Sequence, residues 1–294
     1  MNKNRYLVLL LLTVLTTGIL KAQTLKDSTI FSFKDVNNLV TKKSEQYGIE
    51  NVLVIVDIDN TLLTSNVDLG GDIWYNWQRG KIKDAIPTEK QKIENCFYED
   101  VIGLLYELGT MKLTDSLIPK YVSNWQKDGT TVFALTSRSP RYRTATKREL
   151  LKNGIDLSKS PLKQIDGSTA TYNYTLDREM SYEDGLMMTT GMNKGDMIAH
   201  ILGRTGKTFK SIIFVDDSEK NIVDVTEKYK NNTNIDFTVF YYDKIARDRK
   251  IANGGVLITK KQAKKMAADW EQLTKTLNTI FPGRNIKNKC VSPN

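Results

Sequence analysis

Acidic, hydroxyl and basic residues recur at the points where the apolar runs of this chain end. Asp57-Ile58-Asp59-Asn60-Thr61 follows NVLVIV, Thr136-Ser137-Arg138 follows TTVFAL, and Asp216-Asp217-Ser218 follows SIIFV. Lys194 opens a helix-patterned stretch between the second and third of these sets. Carboxylates brought together repel one another unless a cation neutralises them. Hard oxygen donors suit Mg²⁺, which takes one or two carboxylates and completes its octahedron with water and substrate phosphate. A lysine adds positive charge for one phosphoryl oxygen, and the Thr136 hydroxyl can donate to another. The chemistry this set suits is the binding of a dianionic group. Each residue alone has an ordinary reading: Asp and Asn are common in turns, Thr61 could be a helix cap, and a lone lysine is usually solvated. The joint pattern carries the argument.

That pattern needs elements that bring the three run ends to one edge. Short β-branched runs among helical patterns read as buried parallel strands, here 51–56, 130–135, 210–215 and 235–242. Helical spacing covers 35–47 up to Gly48, 88–108, 114–127 up to Asp128-Gly129, and 140–153 with Pro140 in its first turn and Gly154 after its end. Residues 155–192 read as irregular. Helices follow over 193–202, ending near Gly203, over 219–228, and from Lys260, with Thr259 as the N-cap. In the last helix Ala263, Met266, Ala267, Trp270, Leu273, Leu277 and Ile280 share one face. Strands alternating with helices predict a doubly wound, Rossmann-like α/β fold with a mostly parallel sheet. Ligands of such sheets bind outside the carboxyl ends of the strands, where the polar sets lie.

The chain has 294 residues and a formal net charge of +9. Lys3 and Arg5 precede the apolar run Tyr6 to Leu20, and small Ala22 follows it. This is the signal-peptide pattern, with cleavage expected after Ala22, and an uncleaved anchor is the alternative. The remaining 23–294 span 294 − 22 = 272 residues, with a charge of 9 − 3 = +6 because the leader holds Lys3, Arg5 and Lys21 and no acid. No second run reaches the length of a membrane span, which is about 20 residues. The positive charge is spread along the chain, so anions are attracted but no nucleic-acid partner is expected. Cys96 and Cys290 either pair in an oxidising compartment or remain as a buried thiol and a tail thiol. His200 is the single histidine, which excludes multi-histidine metal sites and disfavours a Ser-His-Asp triad.

D-x-D-x-T after an apolar strand, a hydroxyl after a second strand, a lysine at a helix start and an acidic pair after a third strand resemble the ordered motifs of the haloacid dehalogenase superfamily. The resemblance runs from about Val52 to Asp224. It implies the α/β fold of that superfamily, a Mg²⁺ cofactor, and phosphoryl transfer through an aspartyl-phosphate. Asp57 is then the nucleophile and Asp59 the general acid and base. Thr136 and Lys194 hold the phosphoryl group. Asp57, the main chain at Asp59, and Asp217 ligate the metal with Asp216 in support, although either member of that pair fits as the closer ligand. Dehalogenases of the superfamily generally lack the second aspartate, so Asp59 favours phosphate esters.

The 74 residues from Leu62 to Leu135 exceed what one loop and strand require. In the superfamily such an insertion forms a cap, here about 66–127 and helical. Trp74, Tyr75 and Trp77 near its start stack on a substrate ring or pack the cap against the core. Asp72 is a further polar candidate. Arg138 suits a bidentate contact to substrate phosphate, whereas Arg141 and Arg143 read as a solvated helix start. Residues 284–294 read as a polar tail. The expected function is Mg²⁺-dependent hydrolysis of a small phosphomonoester by an exported, periplasmic or secreted enzyme. A phosphotransferase, a phosphonate hydrolase and a non-catalytic surface or interaction protein are the alternatives.

Overall fold

The computed structural model describes residues 26–283 and Cys290. The proposed leader and most of the proposed tail lie outside the described residues. In chain order the elements begin with β1 (Lys26–Ile30), α1 (Phe33–Tyr47), β2 (Val52–Val56), β3 (Leu63–Ser65), α2 (Asp72–Gln78) and α3 (Ile102–Leu108). Then come β4 (Met111–Leu113), α4 (Ile118–Asp128), β5 (Thr131–Thr136), α5 (Arg143–Lys152), β6 (Tyr172–Thr175), β7 (Glu179–Glu183) and β8 (Leu186–Met188). The chain continues through α6 (Lys194–Thr205), β9 (Ser211–Asp216), α7 (Glu219–Tyr229), β10 (Asp236–Tyr242), α8 (Lys244–Ala252) and α9 (Lys260–Ile280).

Among the described residues eight strands form one sheet, in the order β1-β10-β9-β2-β5-β8-β7-β6. The strands from β1 to β8 run parallel, and β7 and β6 extend the sheet as an antiparallel hairpin. β2 shows why the apolar runs are continuous. Val52, Val54 and Val56 face one core with α1, α4 and α5, whereas Leu53 and Ile55 face another with α6 and α7. Helices cover both faces, so the polar groups at the strand ends are confined to the sheet's edges.

Two expectations about the chain's organisation change. Residues 155–192 are not irregular throughout: they hold β6, β7 and β8. Their runs are short and half polar, so no long apolar stretch marked them. The inserted segment also differs from 66–127. β3 and β4 pair as a ribbon, and α4 buries Ile118, Val122 and Trp125 in the sheet's own core. The part that leaves the sheet is therefore about 66–110. It is less helical than its spacing predicts, since helix α3 covers only Ile102–Leu108, preceded by a wide turn over Phe97–Val101.

That segment has its own apolar cluster, and the chain's last helix completes it. Trp74, Trp77, Phe97 and Val101 pack with Ala263 and Met266 of α9. The expected Thr259 cap is present, and its reciprocal bonds with Gln262 form a capping box. Cys96 and Cys290 are disulfide-bonded across 194 residues, which ties the chain's last described residue to this unit. α6 runs through Gly203 and ends at left-handed Gly206, one turn beyond the expected stop.

Candidate functional site

β2, β5 and β9 are adjacent in the sheet, so their carboxyl ends bring Asp57, Asp59, Thr136, Arg138, Asp216 and Asp217 together. Backbone bonds fix this edge. The Asp57 amide donates to the Val215 carbonyl at 2.9 Å, continuing the β2–β9 ladder by one residue. The chain then turns back at Asn60, whose φ of 57° is one that Asn tolerates better than most residues.

Lys194, the first residue of α6, is fully buried beneath this edge. Its ammonium donates to Asp57 Oδ1 at 2.5 Å, to Asp216 Oδ2 at 2.6 Å and to the Leu135 carbonyl at 2.8 Å. These bonds use all of its N–H donors. Burial works against its charge, but Asp216 and Asp57 overcome that and hold its pKa above the usual lysine value.

Asp57 is almost completely buried, and its pKa is pushed up to about 8. Burial is the main cause, Lys194 opposes it, and Asp216 and Asp59 add to it. Asp216 accepts from Lys194, from the Asn221 amide at 3.0 Å and from the Ser218 N–H at 2.9 Å. Asp217 is half-buried and borders the open cleft. Its pKa is also raised, by burial and then by Asp72, Asp57 and Asp216, while an Asn60 hydrogen bond opposes the rise. Oxygens of Asp57, Asp216 and Asp217 lie within 4.8 Å of one another. This all-carboxylate donor set fits a hard divalent cation, and a cation there would offset the burial and mutual repulsion that raise the pKa values of Asp57 and Asp217. Of the acidic pair, Asp217 is the member that borders the cleft. Asp216 is already held by Lys194, Asn221 and Ser218.

Arg138 differs most from its expected role. Its Nε and one terminal nitrogen grip both carboxylate oxygens of Asp59, at 2.8 and 2.7 Å. The other terminal nitrogen donates to Thr146 Oγ1 at 3.0 Å, and the guanidinium lies 4.2 Å from the centre of the Tyr106 ring. Its fork therefore faces Asp59 rather than a phosphate. Arg138 lies two positions after Thr136, a proximity in sequence that said nothing about where the fork would turn. Thr136 is buried, and its hydroxyl accepts the Arg138 N–H at 3.2 Å, leaving its own hydrogen for another acceptor.

The site opens into a cleft of about 1350 Å³, bordered by the sheet edge, the inserted segment and α8. Asp72 belongs to it: its carboxylate accepts from Asn60 at 3.2 Å and from Asn76 at 2.7 Å. Burial and then Asp59 raise its pKa to about 6, against Lys81 and Arg249. Trp74 and Trp77 are buried in the segment's own core, with Trp74 stacked on Phe97, and Tyr75 borders the cleft. Arg143 is turned away and braces the hairpin through Ser181 Oγ at 2.6 Å and the Leu186 carbonyl at 3.1 Å. Arg141 reaches the cleft beside Glu179. Asn60 belongs to the first polar set, whereas Asn221, Tyr106 and Arg249 also line the cleft and were not singled out by the sequence pattern. Asn221 sits one turn after the acidic pair, which is a usable signal; Tyr106 and Arg249 come from distant segments and carried none.

Fold and site together define an α/β protein with a lysine-bridged carboxylate centre at the carboxyl edge of a mostly parallel sheet. The chain belongs to the DUF2608 family, described as a protein of unknown function, which it matches over residues 29–282. It is also similar to a Chlamydia pneumoniae protein named "Putative outer membrane protein", at 25% identity over 191 residues, 62% of this chain and 67% of that protein.

Proposed function

We propose that the protein is an exported, Mg²⁺-dependent phosphohydrolase of the haloacid dehalogenase type, acting on small phosphomonoesters with Asp57 as nucleophile. The observation that carries the reading is the Asp57–Lys194–Asp216 bridge with Asp217 beside it at the strand ends. Export is supported by the basic and apolar N-terminal pattern and by the name of the chlamydial relative. Among the described residues no helix is long and apolar enough to cross a membrane.

In this mechanism Asp57 and Asp217 would hold the cation, with the Asp59 carbonyl as the further ligand that the family resemblance implies. When bound, it supplies charge neutralisation for the transferring phosphoryl group. A carboxylate oxygen of Asp57 attacks phosphorus and the ester P–O bond breaks. Asp59 gives its proton to the leaving alkoxide, so one oxygen must first leave the grip of Arg138. Water then attacks phosphorus, Asp59 takes back a proton, and the P–O bond to Asp57 breaks to release inorganic phosphate. Lys194 keeps Asp57 oriented throughout, and the Thr136 hydroxyl donates to a phosphoryl oxygen. Arg138 acts as a positioning residue for Asp59.

The test is phosphate release by residues 23–294 from a panel of phosphomonoesters, with Mg²⁺, with EDTA, and in Asp57→Asn. Metal-dependent release that disappears in Asp57→Asn is the expected result. The commitment of Lys194 to Asp57, Asp216 and Leu135, and of Arg138 to Asp59, favours one second reading, a non-catalytic surface protein on this scaffold. Mg²⁺ binding with no release from any ester is its signature. A phosphoryl group transferred to an alcohol, or an aldehyde released from a phosphonate, would identify the neighbouring chemistries instead.

A further inference from the structure

A strained corner lies beside the carboxylate centre. β8 pairs with β5 so that Met188 faces Thr136, and the chain beyond it stays bonded to the site. The Thr189 N–H donates to the Thr136 carbonyl at 3.1 Å, and the Thr190 N–H donates to the Arg138 carbonyl at 3.2 Å. Thr190 then adopts φ 49° and Gly191 φ 73°. A β-branched residue rarely takes this left-handed conformation, and such outliers persist only where surrounding bonds over-determine them. Here the Thr190 hydroxyl donates to the Glu179 carbonyl at 2.6 Å, and Arg178 donates to the Thr190 carbonyl at 3.0 Å.

Those bonds hold Arg178, an exposed residue of the β6–β7 turn, at the border of the cleft. One N–H of its guanidinium fixes it to the corner, and among the described residues the rest of the fork is uncommitted. Among the described residues no carboxylate lies within ion-pair distance of it. The neighbouring Glu179 turns its carboxylate to Arg141 at 3.6 Å. The other arginines and lysines of the cleft differ. Arg138 is held by Asp59, Arg249 by Asp68 and Lys220 by Asp224, while Lys81 lies over the Tyr75 ring. Adjacent strands are about 4.8 Å apart, so the corner places Arg178 roughly one to two strand spacings from the Thr136 end of the site. That separation suits a second substituent on a small molecule.

We propose that Arg178, fixed by the Thr190–Gly191 corner, is a second anion subsite of the cleft, so that the substrate is a phosphomonoester carrying a further phosphate or carboxylate. The proposal rests on the phosphohydrolase reading of the Asp57 centre and specifies its substrate class. A planar, permanently charged fork with free donors matches the paired oxygens of such a group.

The test uses Asp57→Asn protein, residues 23–294 with Mg²⁺, and calorimetric titration. The paired probes are fructose 1,6-bisphosphate against fructose 6-phosphate, and 3-phosphoglycerate against glycerol 3-phosphate. The expected result is that at least one doubly anionic probe binds about 10- to 100-fold more tightly than its partner, the range expected of a charge-assisted contact. That ratio should fall towards one in Arg178→Gln, and only partly in Arg178→Lys, which keeps the charge without the fork. An unchanged thermal midpoint in both variants would show that the corner still folds. Equal affinities within both pairs, no binding of any probe, or a preference that survives Arg178→Gln would overturn the subsite. Phosphate release by the wild-type chain is read separately, so failure of the Asp57 chemistry is distinguishable from failure of the subsite.

Discussion

Replacing Lys194 with methionine tests the centre without assuming an activity. The substitution keeps the length of the buried side chain and removes its charge and its three N–H donors. Two buried carboxylates then face each other directly, and the Leu135 carbonyl loses a bond of 2.8 Å. Removing one partner of a buried ion pair costs about 3–5 kcal/mol. The loss should depend on pH, because Asp57 can relieve it by taking up a proton. The folded pKa of Asp57, about 8, lies above its unfolded value. The stability this carboxyl contributes is therefore present at low pH and lost as pH rises through about 8. Without Lys194 the folded value rises further, so the variant keeps losing stability above pH 8, where the wild type levels off, by up to about 1.4 kcal/mol per pH unit. Urea denaturation in EDTA, followed by tryptophan fluorescence, measures this at pH 6 and pH 9. A loss of about 3–5 kcal/mol at pH 9 is expected, smaller at pH 6 by about 1.4 kcal/mol, the one pH unit between the folded Asp57 pKa and pH 9. A loss below about 1 kcal/mol at pH 9, or the same loss at both pH values, would refute the account of a buried lysine bridge.

Arg138→Gln should lower turnover about 10- to 100-fold through loss of the Asp59 grip, with a displaced pH profile and little change in KM. An unchanged profile would reduce Arg138 to a packing role. Cys290→Ser should lower stability by about 2–4 kcal/mol in denaturant titrations and loosen hydrogen exchange in α9 and in residues 72–108 before the sheet. Uniform loosening across the sheet would contradict a separate inserted unit fastened by its disulfide.

The order of the chemical residues was legible in the sequence, because the acidic and hydroxyl groups sit at the ends of apolar runs and Lys194 opens a helix. Continuous β-branched runs among helical spacings leave little choice but parallel strands buried on both faces, and such strands offer their ends to a ligand. The four long strands, the Gly48 stop and the Thr259 cap follow from that local logic. β6 to β8 were hidden because strands at a sheet's end alternate or are only a few residues long, and α2 and α8 because their spacing is too short to be periodic.

Local patterning along the chain fixes which groups end the strands and hence which charges must share one edge. How those charges pair is set by the folded arrangement. It gave the Lys194 donors to Asp57, Asp216 and Leu135, turned Arg138 onto Asp59, and brought Asp72 and Arg249 to the cleft from separate segments. It also joined α9 and Cys290 to a segment nearly two hundred residues away. The reason is physical: a strand end is fixed by local apolar patterning, whereas the direction of a long charged side chain is fixed by whichever partner the whole fold buries beside it.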